Sequence, residues 1–132
     1  MNQEVNRLTG QIIGAAIRVH EELGPGLLES VYEQCLAMEL RENGLSVETQ
    51  VPVPIVYRGR QIAKEGFRLD LLVENTVVVE LKSVEEMKPL YGKQLLTYLR
   101  LAGKEIGLLI NFNVPLLKDG IERVVNGLQE TR

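Results

Sequence analysis

Hydrophobic and polar residues follow two different periods along this chain, and the first part of it has the helical period. Apolar side chains recur at helical spacing over residues 4–23. Gly24-Pro25-Gly26 ends that helix, because glycine suits the left-handed end position and proline cannot continue it. A second helix is predicted over residues 28–42, and Asn43-Gly44 ends it. Its buried stripe is expected to consist of Leu28, Val31, Cys35 and Met38.

The period changes to that of strands in the middle of the chain. Residues 47–57 contain two prolines, so this strand is expected to lie at a sheet edge or to be irregular. Arg58-Gly59 makes a turn, from which residues 61–65 pair back as a hairpin. Residues 67–74 and 77–82 follow as two strands joined by a tight turn at Asn75-Thr76. Their Val and Leu residues on both faces predict a position in the middle of the sheet.

The last third of the chain predicts a helix and one or two further strands. Lys88-Pro89 opens a third helix, and Ala102-Gly103 closes it. Residues 105–112 read as a buried strand, while residues 116–127 are ambiguous between a short helix and a last strand that Val124 and Val125 favour. The third helix is expected to present Leu90, Gln94, Leu95, Tyr98 and Leu101 in register. The order predicts an α/β domain with a mixed sheet and helices on its faces.

Composition narrows the class of protein without selecting a function. The chain has 132 residues, of which 45% are hydrophobic and 25% charged, so one folded domain over residues 1–132 is expected. The net charge of −3 argues against a basic field over the whole surface. Cys35 is the only cysteine and is expected to be an inert buried thiol. With no signal-peptide pattern and no apolar run long enough to span a membrane, a cytoplasmic protein is expected.

Three charged residues in the predicted central strands require an explanation. Asp70 lies in the first of them, and Glu80 and Lys82 point to one face of the next. Two carboxylates on neighbouring strands could hold a hard cation such as Mg²⁺, beside which Lys82 would orient the attacking water or balance charge. Structural alternatives are an ion pair between Glu80 and Lys82, and a salt bridge between Asp70 and Arg68 or another arginine.

Polar residues on the predicted helices are further candidates. Gln94 and Tyr98 share one face of the third helix and could hold a phosphate or orient Lys82. Glu29 begins the second helix and would be a further metal ligand if that end faces the strands, or only a charge favoured by the helix dipole. Tyr32, like Gln94 and Tyr98, could equally pack as a half-buried side chain with a polar tip. His20, at the end of the first helix, is expected to cap or pack, although it could also reach the site.

These residues resemble two related families. Asp70, Glu80-x-Lys82 and Gln94-x-x-x-Tyr98 look like the PD-(D/E)xK nuclease superfamily, in its branch with a Q-x-x-x-Y helix. The segment LGPGLLESVY resembles, more specifically, the small bacterial GxxExxY family through Gly26, Glu29 and Tyr32. The resemblance implies a restriction-endonuclease-like αβββαβ core with a mixed sheet flanked by helices and an extra N-terminal helix. It also implies that Glu29, Asp70, Glu80 and Lys82 occupy metal and catalytic positions, completed by the Gln-Tyr pair.

Three functions are compatible with the sequence. The first is a nuclease that depends on Mg²⁺ or Mn²⁺ and hydrolyses phosphodiester bonds of nucleic acid, with DNA expected. The second is a catalytically silent relative that binds nucleic acid or another protein with the same face. The third is a structural dimer-forming domain that retains the site residues. A homodimer and a partner protein are also expected, because so small a domain has little surface for contacting DNA. Residues 51–57 and 106–112 are candidate interface segments, although the second of them is expected to be buried in the monomer.

Overall fold

The structure is a computed structural model that describes residues 3–127, and its elements follow the predicted order. Two helices come first, α1 (Gln3–Leu23) and α2 (Glu29–Glu42). Three strands follow, β1 (Val47–Tyr57), β2 (Arg60–Val73) and β3 (Val77–Lys82). Helix α3 (Pro89–Ala102) leads into β4 (Ile106–Asn111), and a short 3-10 helix (Leu117–Gly120) leads into β5 (Ile121–Val125).

The five strands form one mixed sheet in the order β1-β2-β3-β4-β5. Neighbours pair antiparallel except for β3 and β4, which are parallel. A parallel pair needs a crossover connection, and α3 provides it. The predicted fold class is therefore confirmed: a restriction-endonuclease-like αβββαβ core with a mixed sheet, flanking helices and an extra N-terminal helix.

Each face of the sheet has its own hydrophobic core. Helices α1 and α2 pack on one face and α3 on the other. The adjacent residues Val78 and Val79 belong to opposite cores, as the alternation of a strand requires. Both faces of β3 and β4 are therefore covered, which explains their continuous apolar sequences. No helix in residues 3–127 combines the length and the apolar character needed to cross a bilayer.

The expected buried stripe of α2 is wrong. Leu28 is 74% exposed, Met38 57% and Val31 36%, while Cys35 is half-buried. The helix has a second apolar stripe, and that one packs on the sheet; periodicity alone does not decide between two such stripes. The stripe that is buried consists of Tyr32, Leu36, Ala37 and Leu40.

Helix α3 has the predicted limits but a shifted apolar face. Leu95 and Leu99 are its buried residues, whereas Leu90 and Leu101, both expected in register, are 67% and 42% exposed. Pro89 occupies the first turn, and Gly103 ends the helix with φ 70°. That value lies in the left-handed region, where glycine carries no Cβ penalty.

The strands differ from the prediction in two places. Residues 61–65 and 67–74, expected as separate strands, are one strand, β2. The tail, ambiguous between a helix and a strand, contains both: the short 3-10 helix is followed by β5, the fifth strand of the sheet. Strand β4 is buried along its whole length and paired on both sides, which excludes it as an interface segment. The edge position of β1 is confirmed, with register shifts at Val53–Ile55–Val56.

Candidate active site

The candidate site lies where β2 and β3 separate. The two strands pair over three residues each, ending at Leu71 and Val79. Beyond that point β2 continues along β1, while β3 stays paired with β4. The next residues on the diverging strands are Asp70 and Glu80, so these two carboxylates stand at the opening of the fork.

Each carboxylate binds the backbone of the opposite strand. The Asp70 N–H donates to Glu80 Oε2 at 3.0 Å, and the Leu81 N–H donates to Asp70 Oδ2 at 2.9 Å. These two bonds occupy the place of ladder bonds that the diverging strands no longer make. They hold the carboxylates side by side, so Asp70 and Glu80 are neither on opposite faces nor remote from each other.

Both carboxylates are half-buried, and burial shifts the pKa of each upward. Burial, followed by the nearby charge of Asp70, raises the pKa of Glu80 to about 8. Burial also raises the pKa of Asp70, against the lowering effect of the Leu81 N–H bond and the Lys82 charge. Two like charges in a poorly solvated position disfavour each other's ionised form. The fork is thus a site where added positive charge would be strongly favoured.

Lys82 stands beside the carboxylates without forming an ion pair. Its charge lowers the pKa of both Asp70 and Glu80, while its Nζ lies 4.4 Å from the ring centroid of Tyr91 on α3. Within residues 3–127 the ion pairs are Arg18–Glu39 and Arg68–Glu65. The two salt-bridge alternatives considered from the sequence, Glu80–Lys82 and Asp70–Arg68, are therefore wrong.

Helix α3 brings Tyr98 to the fork. Its ring stacks on Phe67 of β2 with centroids 4.1 Å apart. Burial raises the pKa of Tyr98, and the charges of Glu80 and Asp70 raise it further, so its hydroxyl is within electrostatic reach of the carboxylates. Gln94 lies one turn earlier on α3 with an exposed side chain.

Strand β1 and helix α2 close the other side of the fork. Gln50 Nε2 donates to Glu33 Oε1 at 2.8 Å and lies 3.5 Å from Asp70 Oδ1. Gln50 has φ 52°, and the alternation of β2 breaks beside it, since Leu69 and Leu71 pack in opposite cores. Burial, then the charges of Asp70 and Glu29, raise the pKa of Glu33. Glu29, Glu33 and Asp70 therefore act on one common region.

Tyr32 holds the loop before α2 instead of facing the fork. Its buried ring stacks on Phe112 with centroids 4.3 Å apart. Its hydroxyl donates to the Gly24 carbonyl at 2.5 Å and accepts from the Leu27 N–H at 3.1 Å. The Ser83 hydroxyl, one residue after β3, donates to the Leu27 carbonyl at 2.6 Å. These bonds fix the loop that leads into α2, whose first residue is Glu29.

His20 also has a structural position. It is buried, and its Nε2 donates to the Val114 carbonyl at 2.8 Å. Its ring lies 6.2 Å from that of Phe112, tilted by 43°. The structure thus places His20 and Tyr32 around Phe112, whereas it brings Asp70, Glu80, Lys82 and Tyr98 together at the fork.

Comparison with known proteins agrees with this arrangement. A family model described as the PD-(D/E)XK nuclease superfamily matches residues 6–124, which is nearly the whole chain and includes the fork. The chain belongs to the PD-(D/E)XK nuclease superfamily. No curated protein and no solved structure matches it significantly.

PD-(D/E)XK nucleases generally use divalent metal ions, and the donor chemistry of the fork fits one. Asp70 and Glu80 offer only oxygen, the donor that hard cations such as Mg²⁺ prefer. Asp70 Oδ1 and Glu80 Oε1 lie outside the two backbone bonds. In residues 3–127, however, no three His, Cys, Asp or Glu side chains are gathered closely enough to hold a metal. Glu29 is therefore not assembled with the other two carboxylates.

Three residues around the fork escaped the sequence analysis: Glu33, Gln50 and Tyr91. Glu33 was detectable in principle, because it follows Glu29 by four residues and so shares its helix face. Gln50 reaches the fork only because β1 pairs with β2 and carries a left-handed residue at that point. Tyr91 contacts Lys82 across the packing of α3 on β3, which no local pattern indicates.

Proposed function

We propose that this protein is a metal-dependent nuclease that hydrolyses phosphodiester bonds in nucleic acid, with DNA as the expected substrate. The observation that supports it most is the fork itself, where two half-buried carboxylates each bind the backbone of the opposite strand beside one lysine. As a structural feature alone the fork is costly, because burial of carboxylates without a paired cation destabilises the fold.

Each residue of the fork has a distinct role in this proposal. Mg²⁺ or Mn²⁺ on Asp70 and Glu80 would polarise the phosphate and lower the pKa of a bound water. The Lys82 ammonium balances negative charge on the phosphate and orients the attacking water, because its charge already acts on both carboxylates. The Tyr98 hydroxyl and the exposed Gln94 amide hold a phosphate oxygen at the mouth of the fork.

The resemblance to the GxxExxY family gives α2 a part in the same site. Tyr32 and the loop from Gly24 to Leu28 set the start of the helix, and Glu29 lies in its first turn. We assign Tyr32 a positioning role, and Glu29 the role of a further metal ligand that completes the site when substrate and ion are bound. Glu33, linked to Asp70 through Gln50, adds charge from the same helix.

A catalytically silent nucleic-acid-binding or protein-binding domain is the second candidate. It is favoured by the arrangement of the acidic residues, since only two carboxylates interlock and Glu29 stays apart from them in residues 3–127. The two candidates differ in whether a divalent ion changes the substrate.

A cleavage panel tests the proposal. Single- and double-stranded DNA and RNA are incubated with Mg²⁺ or Mn²⁺ and wild-type protein, Asp70→Ala or Lys82→Ala. The matched controls are Asp119→Asn and Lys118→Ala, which alter exposed charges on the 3-10 helix. The expected result is metal-dependent cleavage that both fork variants lose and both controls keep. Equal cleavage by all five proteins would indicate a contaminant or another site, and binding without cleavage would favour the silent relative.

A further inference from the structure

The outer part of strands β1 and β2 projects from the sheet as a two-stranded ribbon, residues 54–65. β3 pairs with β2 only at residues 71–73, so among residues 3–127 β1 is the only strand partner of β2 along the ribbon. Apart from the half-buried Ile55 and Ala63, every residue of the ribbon is exposed. An isolated two-stranded hairpin is only marginally stable in water. A long, exposed ribbon of this kind is therefore a candidate ligand-binding surface.

The ribbon differs from the rest of the chain in charge. It carries three basic residues, Arg58, Arg60 and Lys64, on a protein whose net charge is −3. Its one acidic residue, Glu65, is paired with Arg68 at 2.7 Å. The three cations are consequently not offset by acidic residues of the ribbon, and such a local basic strip is the electrostatic footprint of nucleic-acid binding.

The tip of the ribbon adds apolar surface to this charge. Tyr57 is 59% exposed and Ile62 is 63% exposed. The Arg58 guanidinium lies 5.1 Å from the centroid of the Tyr57 ring. Arg58 and Gly59 both have positive φ, 52° and 78°, as in the tight hairpin turns whose twist suits paired strands. The tip is thus a defined surface with a guanidinium and an aromatic ring side by side.

The ribbon is also continuous with the candidate active site. At its base, Phe67 stacks on Tyr98, and Asp70 is ten residues from Arg60 on the same strand. At about 3.3 Å per residue the two are separated by at most about 33 Å, or about ten base pairs of duplex at about 3.4 Å each. The major groove of a duplex admits a two-stranded ribbon.

We infer that the ribbon of residues 54–65 is a nucleic-acid-binding arm that contacts the phosphates of a duplex about one helical turn from the bond at the fork. This rests on the proposed nuclease function for the position of the bond, but not for the binding. The ribbon supplies basic side chains for binding nucleic acid on a chain whose net charge is −3. A protein partner is the less favoured occupant, because the basic charges of the ribbon match a polyanion.

Fluorescence anisotropy in EDTA tests the inference without hydrolysis. Wild-type protein is compared with Arg58→Gln/Arg60→Gln/Lys64→Gln and with the control Arg7→Gln/Arg100→Gln/Lys118→Gln, which removes the same charge from exposed sites elsewhere. The probes are duplexes of about 8 and about 24 base pairs and a single strand of the longer length, titrated over a series of salt concentrations. Circular dichroism melts check that both triple variants fold.

The ribbon variant is expected to bind the longer duplex about 10- to 100-fold more weakly, with a salt slope smaller by about 2 to 3, since each phosphate contact contributes about 0.9. The affinity of the ribbon variant for the shorter duplex should change by less than about threefold, because that duplex cannot span from the fork to the tip. The affinity of the control variant for either duplex should also change by less than about threefold. Equal weakening by both triple variants would overturn the inference, as would equal loss on both duplexes. A changed oligomeric state with unchanged binding would overturn it too and identify a protein interface.

The outcomes separate this inference from the nuclease proposal. If no metal supports cleavage but the ribbon variant loses duplex binding, the binding role of the ribbon is supported and the nuclease proposal is contradicted. If cleavage requires Asp70 and Lys82 but the ribbon and control variants bind the duplexes equally well, the nuclease proposal is supported and the binding role of the ribbon is contradicted.

Discussion

The two ends of strand β2 have opposite character. At the inner end, Asp70 is partly buried and bonded to β3, and burial raises its pKa. At the outer end, Arg60 and Lys64 are exposed and unconstrained by ion pairs among the described residues. One strand thus carries a preorganised acidic fork and an adaptable basic arm. The contrast suggests a division of labour in which the fork acts on one bond and the ribbon supplies affinity.

The largest expected effect is that of Lys82→Ala, which should slow cleavage while leaving duplex affinity nearly unchanged. Lys82→Ala should lower kcat about 10²- to 10³-fold, the loss seen when one group that stabilises developing charge is removed. The Kd for a long duplex should change by less than about threefold, because the ribbon remains. Single-turnover cleavage and anisotropy measure the two quantities. Lys93→Ala, an exposed lysine of α3, is the control. A Lys82 variant that loses binding as much as cleavage would contradict the division between fork and ribbon.

The second prediction concerns the stability of the fork as a function of pH. The folded pKa of Glu80, about 8, is raised from 4.5, so folding is favoured while the group is protonated in the folded state. The free energy of unfolding without metal should fall as the pH rises from about 4.5 to about 8. Each pKa unit corresponds to about 1.4 kcal/mol, so the fall is on the order of a few kcal/mol. Urea unfolding at several pH values measures it.

Glu80→Gln provides the control for that pH dependence. The amide oxygen can still accept from the Asp70 N–H but does not ionise. The variant should lose most of the decline with pH and all metal-dependent cleavage. Millimolar Mg²⁺ should stabilise the wild type more at pH 8 than at pH 5, since a ligand of the folded state raises stability by mass action. An identical pH profile in wild type and variant would show that Glu80 is not the group responsible.

Much of the fork could be predicted from the sequence because its signals are local. A valine-rich strand places Glu80 and Lys82 two residues apart, and alternation puts them on one face. Asp70 stands out as an acid in an apolar strand. Glycine and proline marked the ends of all three helices within a few residues. Each of these features depends on residues close in sequence.

The parts that were wrong or missed depend on packing between distant elements. Helix α2 has two apolar stripes, and only the approach of the sheet buries the one with Tyr32 and Leu36. Gln50 reaches Glu33 and Asp70 through the pairing of β1 with β2. Tyr91 meets Lys82 because α3 packs on β3. A pattern along one segment carries no information about which surface a second segment will cover.

The third prediction compares the contributions of a buried tyrosine, Tyr32, and an exposed one, Tyr57, to the free energy of unfolding. Tyr32→Phe removes the hydroxyl bonds to Gly24 and Leu27 and should lower the free energy of unfolding by about 1–2 kcal/mol, as expected for lost buried hydrogen bonds. Tyr57→Phe, on the exposed ribbon, should change it by less than about 0.5 kcal/mol. Chemical denaturation of both variants measures this. Equal effects would mean that the Gly24–Leu28 loop does not depend on Tyr32. Tyr57→Ala should instead weaken duplex binding and leave stability nearly unchanged.

The smallest expected effect lies at Gln50, where strand geometry and the electrostatics of the fork meet. Gln50→Ala removes the amide whose hydrogen bonding lowers the pKa of both Glu33 and Asp70, so both pKa values should rise further and cleavage should fall about 3- to 10-fold. Gln50→Gly removes the same bond but also relieves the left-handed φ of 52°, which costs a non-glycine residue about 1 kcal/mol. The two variants should therefore cleave alike while the glycine variant is the more stable. Cleavage rates and urea midpoints of the two variants test this. A glycine variant less stable than the alanine variant would show that β1 does not hold strain at Gln50. Unchanged cleavage in both would show that the Gln50–Glu33 hydrogen bond does not affect the chemistry of the fork.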